Sequence, residues 1–147
     1  MTRRLAQNAV GQGLVEFIFA LPICMTLFFG IYEFSRYYTT RLRVRTAVAE
    51  ATRFATTGNT LTDADTGDDL SRSVSIQQTI LNQVAHFGVT SDDISIDPAD
   101  GGGPEEIVTV TVDYDYQVAV PLMAKVFEAD ALAFSVSTSM RNEPFFQ

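Results

Sequence analysis

The sequence has few of the residues from which catalytic and metal sites are built. Among 147 residues there is one cysteine, Cys24, and one histidine, His86. A single cysteine excludes an intramolecular disulfide and a thiolate metal cluster. A lone histidine beside Phe87, at the end of a helical pattern, is more typical of a structural residue than of a catalytic one. We therefore expect a protein that is not an enzyme and that has no metal or other cofactor.

Serine and glycine do not supply a catalytic motif either. Serines 135, 137 and 139 recur at every second position, which is typical of the solvated face of a strand. The three consecutive glycines at 101–103 precede a strand rather than a helix, so they predict a hairpin turn and not a phosphate-binding loop.

An acidic loop is the remaining candidate for a cation site. It contains Asp63, Asp65, Asp68 and Asp69 around Gly67. Several carboxylates on a flexible loop suit calcium, but the glycine falls one place early for an EF-hand and Val74 stands where a bidentate glutamate is needed. A solvated loop is the default interpretation.

Basic residues are scarce in the C-terminal part of the chain. Residues 58–147 carry three basic and fifteen acidic groups, a net charge of -12, whereas residues 1–57 carry seven arginines and three glutamates, a net charge of +4. An acidic domain is repelled by phosphate, so nucleic acid is not expected as a partner. The basic half adjoins an apolar run, and this favours a membrane.

Residues 14–32 read LVEFIFALPICMTLFFGIY, with Glu16 as the single charge. The uncharged stretch 17–32 has 16 residues. It forms about 24 Å of helix against a hydrocarbon layer of roughly 30 Å, and flanking apolar and aromatic residues extend it at both ends. No small-residue cleavage site follows the run, and Pro22 and Ile23 ahead of Cys24 do not suit a lipoprotein signal. We expect a membrane-spanning helix that Pro22 bends.

Helical periodicity continues past the apolar run as an amphipathic stem that is expected to reach Gly58. Its apolar positions recur at helical spacing: Val44, Ala47, Val48, Ala51, Phe54 and Ala55. Two alternatives stay open for this stripe, since it can pack on the protein's own globular domain or on a neighbouring subunit.

The C-terminal part predicts an α+β domain with one helix packed on a small antiparallel sheet. The helix has a mostly apolar stripe of Leu70, Val74, Gln77, Ile80, Leu81, Val84 and Phe87, with Asp68 or Asp69 as its cap and Gly88 as its stop. Strands are expected at Ile94 and Ile96, over 108–120 where apolar residues alternate, and over 132–140. A short helix is expected from Pro121 to Phe127.

Glu16 is the informative residue of the apolar run. A carboxylate inside a membrane costs on the order of a few kcal/mol unless it is paired or reaches the interface. If the chain were cut after Gly11, the new α-amino group of Gln12 would lie four residues before Glu16 on the same helical face. The alternative is that Glu16 only snorkels to the headgroups.

The segment from Gly11 to Phe17, GQGLVEF, resembles a prepilin peptidase site. Together with Leu21, Pro22 and the segments 30–34, 49–55 and 140–143, it is similar to the TadE-like family of pseudopilins, which is associated with tight-adherence (Flp, type IVb) pilus assembly. The resemblance implies a pilin-like layout with a leader at 1–11, a membrane helix and stem at 12–57 and an acidic α+β domain at 58–147. It also implies cleavage between Gly11 and Gln12 and a pairing role for Glu16. A cut after Gly13 is less suitable, because Glu16 would then be the third mature residue instead of the fifth.

The same resemblance implies partners and a location. The partners are prepilin peptidase, other pilin and pseudopilin subunits, the inner-membrane assembly platform and the membrane. The expected location is the bacterial inner membrane, with a single pass and an external C-terminal domain. Charge alone favours the reverse orientation, because the four arginines after the apolar run outnumber Arg3 and Arg4 before it. The alternative function is that of a membrane-tethered accessory or sensor protein that binds an envelope partner without entering a fibre.

Overall fold

The computed structural model describes the backbone of residues 2–63 and 66–144 and, within these ranges, the side chains from Gln12 onward. A long helix is followed by a shorter helix and then by the strands of a small sheet, as the α+β prediction requires. The elements are α1 (Thr2–Thr56), α2 (Arg72–Val84), β1 (Ile94–Asp97), β2 (Ile107–Gln117), α3 (Pro121–Phe127) and β3 (Ala131–Arg141). Short 3-10 turns lie at Ala85–Phe87 and Ser91–Asp93. The α+β fold class is therefore confirmed.

The chain divides into two compact units. The first comprises Met1–Arg36 and Gln117–Ala131, and the second comprises Tyr37–Tyr116 and Leu132–Gln147. The first unit thus contains the apolar part of α1 together with α3. The second contains the stem, α2 and most of the sheet.

The sheet of the second unit has the strand order β1-β2-β3. Strands β1 and β2 are antiparallel, with Ile94 opposite Val112 and Ile96 opposite Val110. On the other face, hydroxyl pairs join β2 to β3, since Thr109 hydrogen-bonds to Ser139 at 2.8 Å and the Thr111 hydroxyl donates to Ser137 at 2.9 Å. The alternation predicted for β2 is confirmed within the strand, with valines inward and threonines outward. The strand ends at Gln117 and not at Val120 as predicted, because Val120 is already the N-cap residue of α3.

The apolar stripe of the stem is buried inside its own unit, except for Phe54, which is half-buried. Fully buried stem residues share one core with α2 and β2, and this core includes Val44, Ala47, Val48, Ala51, Ile76, Ile80, Val108, Val110 and Val112. Burial of apolar surface is the main stabilising term of a small domain, at roughly 25 cal/mol per Å². Of the two alternatives for the stem, packing on its own globular domain is the one that the structure has.

Helix α2 differs from the prediction at its start and on its buried face. Its N-cap is Ser71, whose hydroxyl accepts from the Val74 backbone N–H at 3.4 Å, and not Asp68 or Asp69. Asp69 instead pairs with Thr62 in an isolated bridge. The buried face passes through Ile76, while Val74 is exposed. The core packs against the side of α2 that carries Ser75 and Ile76. Local periodicity alone does not show which side of a helix faces the core.

Arg72 joins three parts of the second unit. Its guanidinium donates to the carbonyl of Ala55, in the last turn of α1, at 2.8 Å, and also to the carbonyl of Gly102. Burial lowers the pKa of Arg72 from its usual value, and the nearby Asp100 carboxylate opposes that shift. The arginine thereby fixes the end of the stem to α2 and to the glycine turn.

Candidate functional site

The polar head of the apolar run is a single helical turn. The side-chain amide of Gln12 donates to Glu16 Oε1 at 3.3 Å, and both side chains are exposed. The spacing of four residues puts them on one face of α1, as expected. Gly11, the other half of the predicted cleavage site, lies outside the residues whose side chains are described.

The apolar run itself has no partner in the described part of the first unit over most of its length. Its large side chains are exposed, including Leu14, Phe17, Ile18, Phe19, Ile23, Leu27, Phe28 and Ile31. Within the described residues, one helix is long and apolar enough to cross a membrane, and it is this one. A contiguous exposed apolar surface of this kind marks a contact with lipid or with other apolar helices. The helix is therefore compatible with single-pass membrane anchoring.

Pro22 lies inside α1, where it removes one backbone N–H from the helical ladder. The Thr26 hydroxyl donates to the Pro22 carbonyl at 2.9 Å. The helix continues through this position. A bend at Pro22 stays a prediction.

Sequence reasoning missed the role of Glu33, directly after the apolar run. Its side chain is 1% exposed, and its two carboxylate oxygens accept from the backbone N–H groups of Ala119 at 3.1 Å and Val120 at 3.0 Å. Val120 is the N-cap residue of α3. A charged acceptor strengthens these hydrogen bonds, and the bond to Val120 satisfies a donor that the start of α3 leaves open. No local sequence signal distinguishes Glu33 from an ordinary interfacial charge.

A second contact in the first unit supports the position of α3. Met123 is the buried residue of this helix, and a Cβ built on Gly30 would lie 3.7 Å from its sulfur. Gly30 and Glu33 are three residues apart on α1. Helix α3 therefore lies against the last turn of the apolar run.

The chemistry-bearing residues of the described chain do not converge. No group of three or more His, Cys, Asp or Glu side chains that could hold a metal ion is found among the described residues. In the acidic loop, the Asp63 N–H donates to the Asp68 carbonyl at 2.8 Å, while Asp65 lies outside the described residues. His86 is exposed, and the centroid of its ring lies 3.9 Å from the ring centroid of Phe87.

Comparison with known proteins adds a family for the N-terminal part. The model of the family described as TadE-like protein matches residues 11–53, from Gly11 through Glu16, the apolar run and most of the stem. No curated protein and no solved structure matches the chain. Residues 11–53 of this chain are therefore similar to the TadE-like family, and the resemblance expected from the sequence is confirmed for these residues.

Proposed function

We propose that the protein is a minor pilin or pseudopilin of a tight-adherence, type IVb (Flp) pilus assembly system. The observation that carries this proposal is the helical turn from Gln12 to Glu16, with Gly11 directly before it and an exposed apolar helix after it. This turn stands at the start of the TadE-like match. The role is structural and not enzymatic.

In the proposed processing step, prepilin peptidase hydrolyses the bond between Gly11 and Gln12. The products are a leader that ends at Gly11 and a mature chain with an ammonium group on Gln12. In the uncut chain the neutral Gln12 amide already reaches Glu16 at 3.3 Å. A charged amine one helical turn from a carboxylate is a stronger donor than an amide. Cleavage would therefore supply a positive charge that lowers the free-energy cost of placing the Glu16 carboxylate in the bilayer.

In the proposed assembly step, subunits pack through the exposed side chains of the apolar run. The stem cannot offer its apolar stripe to a neighbour, because Val44, Val48 and Ala51 are fully buried in their own unit. Residues 14–32 therefore serve first as the inner-membrane anchor and then as the packing surface. The proposed partners are prepilin peptidase, other pilin and pseudopilin subunits and the assembly platform, with the leader cytoplasmic and the C-terminal part external.

Replacing Glu16 with Gln separates this proposal from the accessory or sensor alternative. We expect Glu16→Gln to be processed and to remain in the membrane, yet to fail to restore pili in cells that lack the wild-type chain. The matched control is Glu50→Gln, which neutralises an exposed carboxylate on the same helix, and it should restore pili. Normal piliation with Glu16→Gln would contradict the assembly role. Pili that persist when the whole chain is deleted would favour the accessory or sensor alternative.

A further inference from the structure

Helix α3 is held at the level where the apolar run ends. Two contacts define this level: Glu33 binds the backbone N–H groups of Ala119 and Val120, and Met123 packs beside Gly30. Gly30 and Glu33 bracket Tyr32, the last residue of the uncharged stretch. If α1 crosses a bilayer, α3 therefore lies where hydrocarbon gives way to headgroups.

The apolar surface of α3 is wider than its contact with α1. At about 100° per residue, Leu122, Val126, Met123 and Phe127 occupy a continuous arc of about 140°. Lys125 lies outside this arc, about 160° from both Met123 and Phe127. Met123 is buried near the middle of this arc, whereas Leu122, Val126 and Phe127 are 41%, 53% and 42% exposed. Exposed apolar side chains thus flank the contact with α1 on both sides.

The exposed surface of α1 at the same level is apolar too. Leu27, Ile31 and Phe34 are 63%, 72% and 65% exposed. The apolar side chains of α3 therefore continue the surface that the membrane helix presents to its surroundings. In the membrane-anchored chain the bilayer is in contact with this exposed surface of α1, so it is the partner that we assign to the apolar side chains of α3.

We infer that α3 is a membrane-surface helix. Leu122, Val126 and Phe127 insert into the boundary between acyl chains and headgroups of the bilayer that α1 crosses, and Lys125 extends toward water and phosphate. The inference rests on the membrane anchoring in the proposed function. It does not depend on which way the chain faces, because both leaflets offer the same boundary. It also explains why a carboxylate is buried at Glu33, since this side chain holds α3 at the required depth.

The test uses the absence of tryptophan from the chain. Single reporters are introduced into the full-length protein as Phe127→Trp on the apolar arc, Lys125→Trp outside this arc on the same helix and Leu27→Trp in the apolar run. Each variant is reconstituted at a low protein-to-lipid ratio in phosphatidylcholine vesicles with and without brominated acyl chains. We expect bromination to remove most of the emission of F127W and L27W and much less of the emission of K125W. Val126→Trp, on the other flank of Met123, should behave like F127W.

The outcomes distinguish membrane anchoring by α1 from insertion of α3 into the membrane surface. Strong quenching of L27W with F127W and V126W no more quenched than K125W would overturn the surface-helix inference and leave the anchor intact. Failure of bromination to quench L27W would overturn the anchor and the inference together. If the Trp of F127W becomes shielded from water only as the protein-to-lipid ratio is raised, the apolar side chains of α3 contact a second copy of the chain and not lipid. That result would also overturn the inference.

Discussion

Glu33 Oε2 accepts a hydrogen bond from the backbone N–H of Val120 at 3.0 Å, across 87 positions of sequence. The other carboxylate oxygen accepts from Ala119 at 3.1 Å. These two bonds and the contact between Gly30 and Met123 help to hold α3 against the last turn of the apolar run. A buried carboxylate is costly unless it is well hydrogen-bonded, so its partners at the start of α3 matter for both elements.

Replacing Glu33 with Leu tests this connection. The substitution leaves two backbone donors without their acceptors, and we expect the free energy of unfolding to fall by about 2–3 kcal/mol. Glu33→Gln should lose less, since the amide oxygen still accepts one bond. Urea unfolding of the full chain in detergent, followed by circular dichroism, measures both.

The matched control for Glu33 is Glu50→Gln on the same helix. Glu50 is exposed and accepts a single bond from Gln83 at 2.9 Å, so its replacement should change the free energy of unfolding by less than about 0.5 kcal/mol. A loss for Glu33→Leu no greater than that of Glu50→Gln would show that the carboxylate does not hold α3.

The glycine turn before β2 gives a second stability prediction. Gly102 has φ +70°, and an added Cβ would lie 3.1 Å from Val108 Cγ2 in the core. Gly102→Ala therefore combines backbone strain with a steric clash. Gly67 has a similar φ of +77°, and no atom of the described residues lies within 4 Å of an added Cβ, so we expect Gly67→Ala to carry the strain alone, about 1–2 kcal/mol.

Thermal unfolding of the two alanine variants separates the two effects, because Gly67→Ala has backbone strain alone and Gly102→Ala has backbone strain and a steric clash. We expect Gly102→Ala to lower the melting temperature clearly more than Gly67→Ala. Equal shifts would mean that the turn relaxes away from Val108 without cost.

Orientation in the membrane is a further prediction, and here charge and family resemblance disagree. Four arginines follow the apolar run and two precede it, so the positive-inside tendency favours a cytoplasmic C-terminus. Proposed cleavage on the cytoplasmic face requires the opposite. We expect an alkaline phosphatase fused to the C-terminus to be active and a green fluorescent protein fusion to be dark. The reverse pattern would contradict the pilin interpretation.

Local patterns in the sequence predict much of this structure. The short helix from Pro121 to Phe127 was predicted with the bounds that the structure gives, because proline at the first turn is a local signal. The alternation in β2 and the apolar stripe of the stem are also local signals. Each element buries one face in the core, and this gives its sequence a regular spacing of apolar residues. The sequence also predicted that Gly88 stops the helical segment, and it has φ +92° after the 3-10 turn.

The features that sequence reasoning missed depend on pairing between distant segments. Ser71 and not an aspartate caps α2, because the helix begins at Arg72, and Asp69 pairs with Thr62 on the other side of the acidic loop. Val74 was assigned to the buried face of α2, but that face passes through Ile76, and only the position of the core decides between them. The partners of Glu33 lie 86 and 87 positions away, and no periodicity or spacing near Glu33 indicates them.

The most direct test of the proposed function is the mass of the mature chain. The wild-type protein, expressed with an active prepilin peptidase, is purified from membranes and measured by intact and N-terminal peptide mass spectrometry. We predict a chain that begins at Gln12, loss of this N-terminus in Gly11→Leu, and its retention in Gly13→Ala. A wild-type chain that keeps residues 1–11, or an N-terminus that replacement of Gly11 leaves unchanged, would contradict processing at Gly11 and the pseudopilin function built on it.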